Sequence, residues 1–90
     1  MSKHVVWVKH FGYGEEQEAL TFDYPRYTRE EVESFFVPYK FISQKGFEQT
    51  GYEYNGEKFY KYRYLGVFPN NKLPRSNEDL WEFDKYRLDK

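Results

Sequence analysis

Cysteine is absent from this chain of 90 residues, which removes disulfides, thiol nucleophiles and thiolate metal ligands. Histidine occurs only at His4 and His10, too little material for a serine-type triad or an imidazole-rich metal site. Six residues apart on one extended strand, the two rings would lie about 20 Å from each other and could not share an ion. They are read as ordinary polar surface at the ends of a strand. No apolar run reaches membrane-spanning length and no secretory leader is evident, so a cytoplasmic protein away from membranes is expected. Large blocks of one charge are also missing. With a net charge of −1, no segment departs from neutrality by more than one charge when the chain is divided after residues 27, 46 and 72. A polybasic nucleic-acid arm and an acidic mimic of DNA are therefore both absent from the linear sequence. Alanine appears once, a bias expected of an AT-rich gene such as those of low-GC bacteria or their phages.

Catalytic and nucleotide-binding motifs are equally scarce. Gly12-Tyr13-Gly14 opens like a dinucleotide fingerprint, but Gln17 breaks the pattern and no helical stripe follows. There is no Walker loop and no nucleophile elbow. The carboxylates at Glu15, Glu16 and Glu18 belong to a polar loop, and those at Glu30, Glu31 and Glu33 to a helix start. Neither an enzyme nor a cofactor or metal requirement is expected.

What the chain has in abundance is aromatic side chains: ten Tyr, nine Phe and two Trp, or 23% of residues. Each can bury on the order of 150–250 Å², so a few suffice to build a core in a chain this short. One folded domain spanning residues 1–90 follows, with more aromatics than such a core can enclose.

The densest aromatic stretch runs from Phe47 to Phe68 around Asn55-Gly56, a pair suited to the positive φ angles of a two-residue hairpin turn. That turn pairs Tyr54 with Glu57, Glu53 with Lys58 and Tyr52 with Phe59. Extended without interruption, it sets Gly51 opposite Tyr60, Glu48 opposite Arg63 and Phe47 opposite Tyr64. Strict alternation then places Phe47, Tyr60, Tyr62, Tyr64 and Phe68 on one face. Tyr52, Tyr54, Phe59, Leu65 and Val67 fall on the other, with Lys61 and Arg63.

Upstream, His4–Phe11 reads as a strand with Val5, Trp7 and Phe11 on one side and His4, Val6, Val8 and His10 on the other. Residues 18–24 alternate to bring Leu20, Phe22 and Tyr24 together, completing a first hairpin. Pro25 ends it. Thr28-Arg29-Glu30-Glu31 matches a capping box, and Val32, Phe35, Phe36 and Tyr39 follow at helical spacing. Pro38 interrupts that helix, which is read as broken and continuing towards Lys45, a short strand over Tyr39–Ser43 being the alternative. A second helix is expected from a cap at Ser76-Asn77-Glu78-Asp79. The sum is an α+β fold of order ββαββα, two hairpins forming an antiparallel sheet with helices packed on one face.

Function is expected to lie in binding. Excess Tyr, Phe and Arg is the signature of a protein interface. The candidate surface is Tyr52, Tyr54, Tyr60, Lys61, Tyr62, Arg63 and Tyr64, and the expected partner is a host protein occluded by a small phage- or mobile-element-encoded modulator. Single-stranded nucleic acid stacking on Tyr60, Tyr62 and Tyr64 is the alternative. Against it, uninterrupted alternation turns Lys61 and Arg63 away from those tyrosines. Self-association through the same aromatics is a further option.

Overall fold

β-Branched and aromatic residues dominate the first strand, β1 (Ser2–His10), and every residue from His4 to Val8 is buried. A run buried on both faces belongs in the middle of a sheet, and β1 lies between β2 (Gln17–Tyr24) and β5 (Glu57–Pro69). The computed structural model describes residues 1–11, 16–74 and 84–89. Its remaining strands are β3 (Val37–Ile42) and β4 (Glu48–Tyr54), giving one five-stranded sheet of order β2-β1-β5-β4-β3. All its pairings are antiparallel.

This overturns the α+β expectation. Strand accounts for 57% of the described residues, helix of every kind for only 16%, and the architecture is mostly antiparallel sheet. The α-helical turn α1 (Arg29–Ser34) has six residues and starts as its sequence dictates. The Glu31 amide donates to the Thr28 hydroxyl and the Thr28 amide to the Glu31 carboxylate, both at 3.1 Å. The helix stops there instead of running on. Pro38 lacks an amide and biases Val37 towards extended geometry. Val37, Tyr39, Phe41 and Ile42 are good strand formers, so the chain pairs with β4 from Val37↔Glu53 to Ile42↔Glu48. Proline is tolerated because β3 is an edge strand. The helix expected from Ser76 falls largely on residues 75–83, outside the described residues; Asp84–Tyr86 forms a single 3-10 turn.

The Asn55-Gly56 turn forms as expected, with φ of 53° and 83°, and the first three pairs follow it. Beyond Tyr52↔Phe59 the expected register ends. Two bulges opposite β1, between Lys9 and His10 and between Val5 and Val6, leave Tyr60 and Leu65 outside the ladder. Tyr62 and Tyr64 thereby join Phe59 on the face that uninterrupted alternation denied them. The Gly51 position is covered by Tyr39, whose Cζ and Oη lie 3.0 Å from where a Cβ would stand, and not by Tyr60.

The main core forms on that face from Val6, Val8, Phe22, Val32, Phe36 and Phe59. Phe36, 3% exposed, is its hub. It stacks on Tyr62 at 4.7 Å and meets Phe22, Tyr54 and Phe59 within 6.2 Å. On the opposite face Val5, Trp7 and Phe68 are also buried. There Gly66, at φ 131°, lies beneath the Arg87 side chain.

Two stability outcomes follow. Phe36→Ala removes the ring that joins α1 to both parts of the sheet and should cost about 3–5 kcal/mol in denaturant unfolding. Gly66→Ala must hold a Cβ at positive φ and displace Arg87, and should cost more than about 1 kcal/mol by the same measurement.

Candidate functional site

Two groupings of polar and aromatic side chains stand out, one closed and one open. The closed one surrounds His4, which is 2% exposed and therefore not the surface residue its strand-end position implied. Its Nε2 lies 2.6 Å from the Tyr27 carbonyl oxygen, which can only accept, so Nε2 carries a hydrogen. Nδ1 makes the second hydrogen bond of the ring, with the Tyr64 hydroxyl at 2.8 Å. Tyr24 packs edge-on against the imidazole at 5.3 Å.

Asp89 approaches the same hydroxyl. Burial, then the negative charge of Asp89, pushes the Tyr64 phenol up to about 12. Burial works against the charged form of Asp89, but hydrogen bonds from Arg87 and from the Val67 amide outweigh it and lower its pKa. The Leu88 amide also donates to the Val67 carbonyl at 2.7 Å, so the segment 87–89 is fastened along β5. Buried and hydrogen-bonded on both ring nitrogens, His4 offers a substrate no approach. This group ties the fold together.

The open site arises where the sheet divides. β4 and β5 are registered only from Tyr52↔Phe59 to Tyr54↔Glu57. From there β5 continues along β1, and β4 continues along β3. On the core side the divergence is wedged by Tyr52 and Tyr62, edge to face at 4.6 Å. On the other side it leaves a cleft of about 790 Å³.

The cleft takes residues from three places: Lys9, His10 and Phe11 at the end of β1, Phe41 to Phe47 at the tip of the β3–β4 hairpin, and Tyr60 and Lys61 on β5. The bulge at Tyr60 is what lets two adjacent residues of one strand serve the same cleft. The hairpin tip is pinned by the Ser43 amide donating to the Phe47 carbonyl at 2.8 Å and the Phe47 amide to the Ser43 hydroxyl at 3.2 Å. Gly46, at φ 86°, makes the turn.

The rings meet edge to face: Phe11 with Phe41 at 5.1 Å and 87°, Phe11 with Tyr60 at 5.7 Å and 89°. Around them Phe11, Ile42 and Phe47 are exposed by 41%, 67% and 65%. Lys9, Lys45 and Lys61 are the charged residues of the lining, with no carboxylate among the described lining residues. The nearest acid on the hairpin, Glu48, faces Lys40 instead, at 3.8 Å. His10 lies 3.4 Å from Glu18.

The seven residues singled out from sequence are thus divided. Tyr60 and Lys61 line the cleft. Tyr52, Tyr54, Tyr62 and Tyr64 are half-buried against the core, and burial raises the pKa of Tyr62 above the ordinary phenol value. Arg63 is exposed and opposes Trp7 on β1. Sequence reasoning missed Phe41, Ile42 and Lys45 because it held the strand that brings them here, placed over Tyr39–Ser43, only as the alternative to a continuing helix. Among the described residues no group of three or more His, Asp or Glu could hold a metal, and no helix is long and apolar enough to cross a membrane. No protein-family model, curated protein or solved structure matches the chain.

The raised phenols set the alkaline limit. Tyr39, Tyr62 and Tyr64 all favour the neutral form in the folded chain. The contribution of each to stability is complete below the ordinary tyrosine value near 10 and is lost as pH rises through its own raised value, about 12 for Tyr64. Spectrophotometric titration of phenolate should show a late component near pH 12 that disappears in Tyr64→Phe.

Proposed function

We propose that this protein works by binding another protein, with the divided end of the sheet as its docking face. The observation that carries the reading is the cluster of exposed Phe11, Ile42 and Phe47 around half-buried Phe41 and Tyr60. Water against such a patch is released when a partner covers it, and grouped aromatic anchors are where interface energy concentrates. Phe41, Ile42 and Phe47 sit on one hydrogen-bonded hairpin and Tyr60 on the paired strand β5, so little ordering entropy is lost on association. A chain of this size covering one patch of a larger protein would act sterically, by occluding what lies beneath.

A single-stranded nucleic-acid platform is less well supported. It needs a row of open ring faces along a strand. Tyr62 and Tyr64 are turned into the core, and the rings that remain with Tyr60 meet edge to face.

The test is affinity capture from cell lysate with the wild-type chain and with Phe47→Ser. Phe47 is 65% exposed, so its replacement should leave stability within about 0.5 kcal/mol. A protein retained after nuclease treatment, and recovered at least about tenfold less with the variant, is the expected result. Equal recovery with Phe47→Ser would sink the reading. Loss of the captured protein on nuclease treatment would replace it with the nucleic-acid one, and a concentration-dependent mass of the chain alone would make the partner a second copy.

A further inference from the structure

We infer that the segment seated in the cleft is an acidic stretch of polypeptide carrying an aromatic or other large apolar side chain. The inference rests on reading the cleft as a docking face and adds the chemistry of what it accepts. Two features of the lining combine. Its floor is a notch of edge-to-face rings from Phe11, Phe41 and Tyr60, with Ile42 and Phe47 at the lip. Such a notch receives one bulky side chain end-on and offers no flat stacking row to successive bases.

Its rim is cationic in a chain whose net charge is −1. Lys9, Lys45 and Lys61 line the cleft, and no carboxylate stands among its described lining residues. Lys61 and Lys9 reach over Tyr60 at 5.4 and 5.5 Å, which places positive charge directly beside the apolar notch. A ligand filling the notch therefore brings its neighbouring residues against ammonium groups. Glutamate or aspartate there is attracted, and lysine or arginine is repelled. Ser43, Gln44 and Gln49 add polar side chains that suit the amides and carbonyls of an extended backbone.

The probe is a random copolymer of glutamate and tyrosine, compared with polyglutamate and with oligo(dT), each titrated into isotope-labelled protein. Amide signals of residues 41–47 and of Tyr60 and Lys61 should shift with the copolymer at low salt, and the affinity should fall as salt is raised. Polyglutamate, which lacks an anchor, and oligo(dT) should bind at least about tenfold more weakly. The double variant Lys45→Glu/Lys61→Glu, both at exposed positions, should weaken the copolymer about tenfold or more. Phe47→Ser should weaken it as well.

No shift with the copolymer, shifts confined to other surfaces, or equal binding of polyglutamate would overturn the inference. Tighter binding of oligo(dT) would overturn it in favour of nucleic acid. A captured partner lost with Phe47→Ser but kept with Lys45→Glu/Lys61→Glu would overturn the acidic preference while leaving the docking face standing. A partner kept with both would remove the docking face too.

Discussion

β5 has to serve two partners in succession, and most of the molecule depends on how it does so. Its first residues belong to the Asn-Gly hairpin with β4, and the rest belong to β1. β4 lies along one edge of β5 and β1 along the other, and the bulge at Tyr60 breaks the alternation of the ladder with β1 just where pairing with β4 stops. Tyr62 and Tyr64 are thereby delivered to the core, Tyr60 and Lys61 to the open side, and β4 is released to carry β3 away from β1. Core and cleft are two sides of the same divergence.

The core that results is dominated by ring-to-ring contacts, stacked, tilted and edge to face. Phe22, Phe35, Phe36, Tyr54 and Tyr62 form a continuous set of contacts between 4.7 and 6.1 Å. Tyrosine suits the margins of such a core because its ring can be buried while its hydroxyl stays wet or finds a partner, as Tyr64 does at His4. Valine fills β1, where both faces of the strand are covered.

Local chemistry was legible in the sequence, and long-range pairing was not. Asn55-Gly56 and Thr28–Glu31 announced a turn and a cap because each depends on residues within a few positions. The faces of β1 were readable because its two sides are built from different side chains. Pro38 signalled the end of a helix, but residues 39–42 satisfy helix and strand periods alike, and only pairing with β4 decides between them. The bulges lack any local mark, since Tyr60 and Leu65 resemble their neighbours and are displaced by what β1 requires across the ladder. For the candidate site, Tyr60 and Lys61 were therefore found, while Phe41, Ile42 and Lys45 waited on an edge strand that the sequence offered only as the alternative to a helix. His4 was missed for a related reason: a polar residue near the end of a strand looks exposed until the partners of both its ring nitrogens are known.

The three-pair seam between β4 and β5 has a mechanical meaning. The β3–β4 hairpin projects beyond it by four residue pairs, about 13 Å of chain. A rotation of about 5° at the seam would move Ile42 at the lip of the cleft by about 1 Å. Tyr52 against Tyr62 braces the hairpin on the core side, and Tyr39 and Phe41 against Phe11 tie it to the end of β1. Widening the cleft would part the Phe11–Phe41 and Phe41–Tyr60 ring contacts, so those rings together with the three residue pairs set what such an adjustment costs.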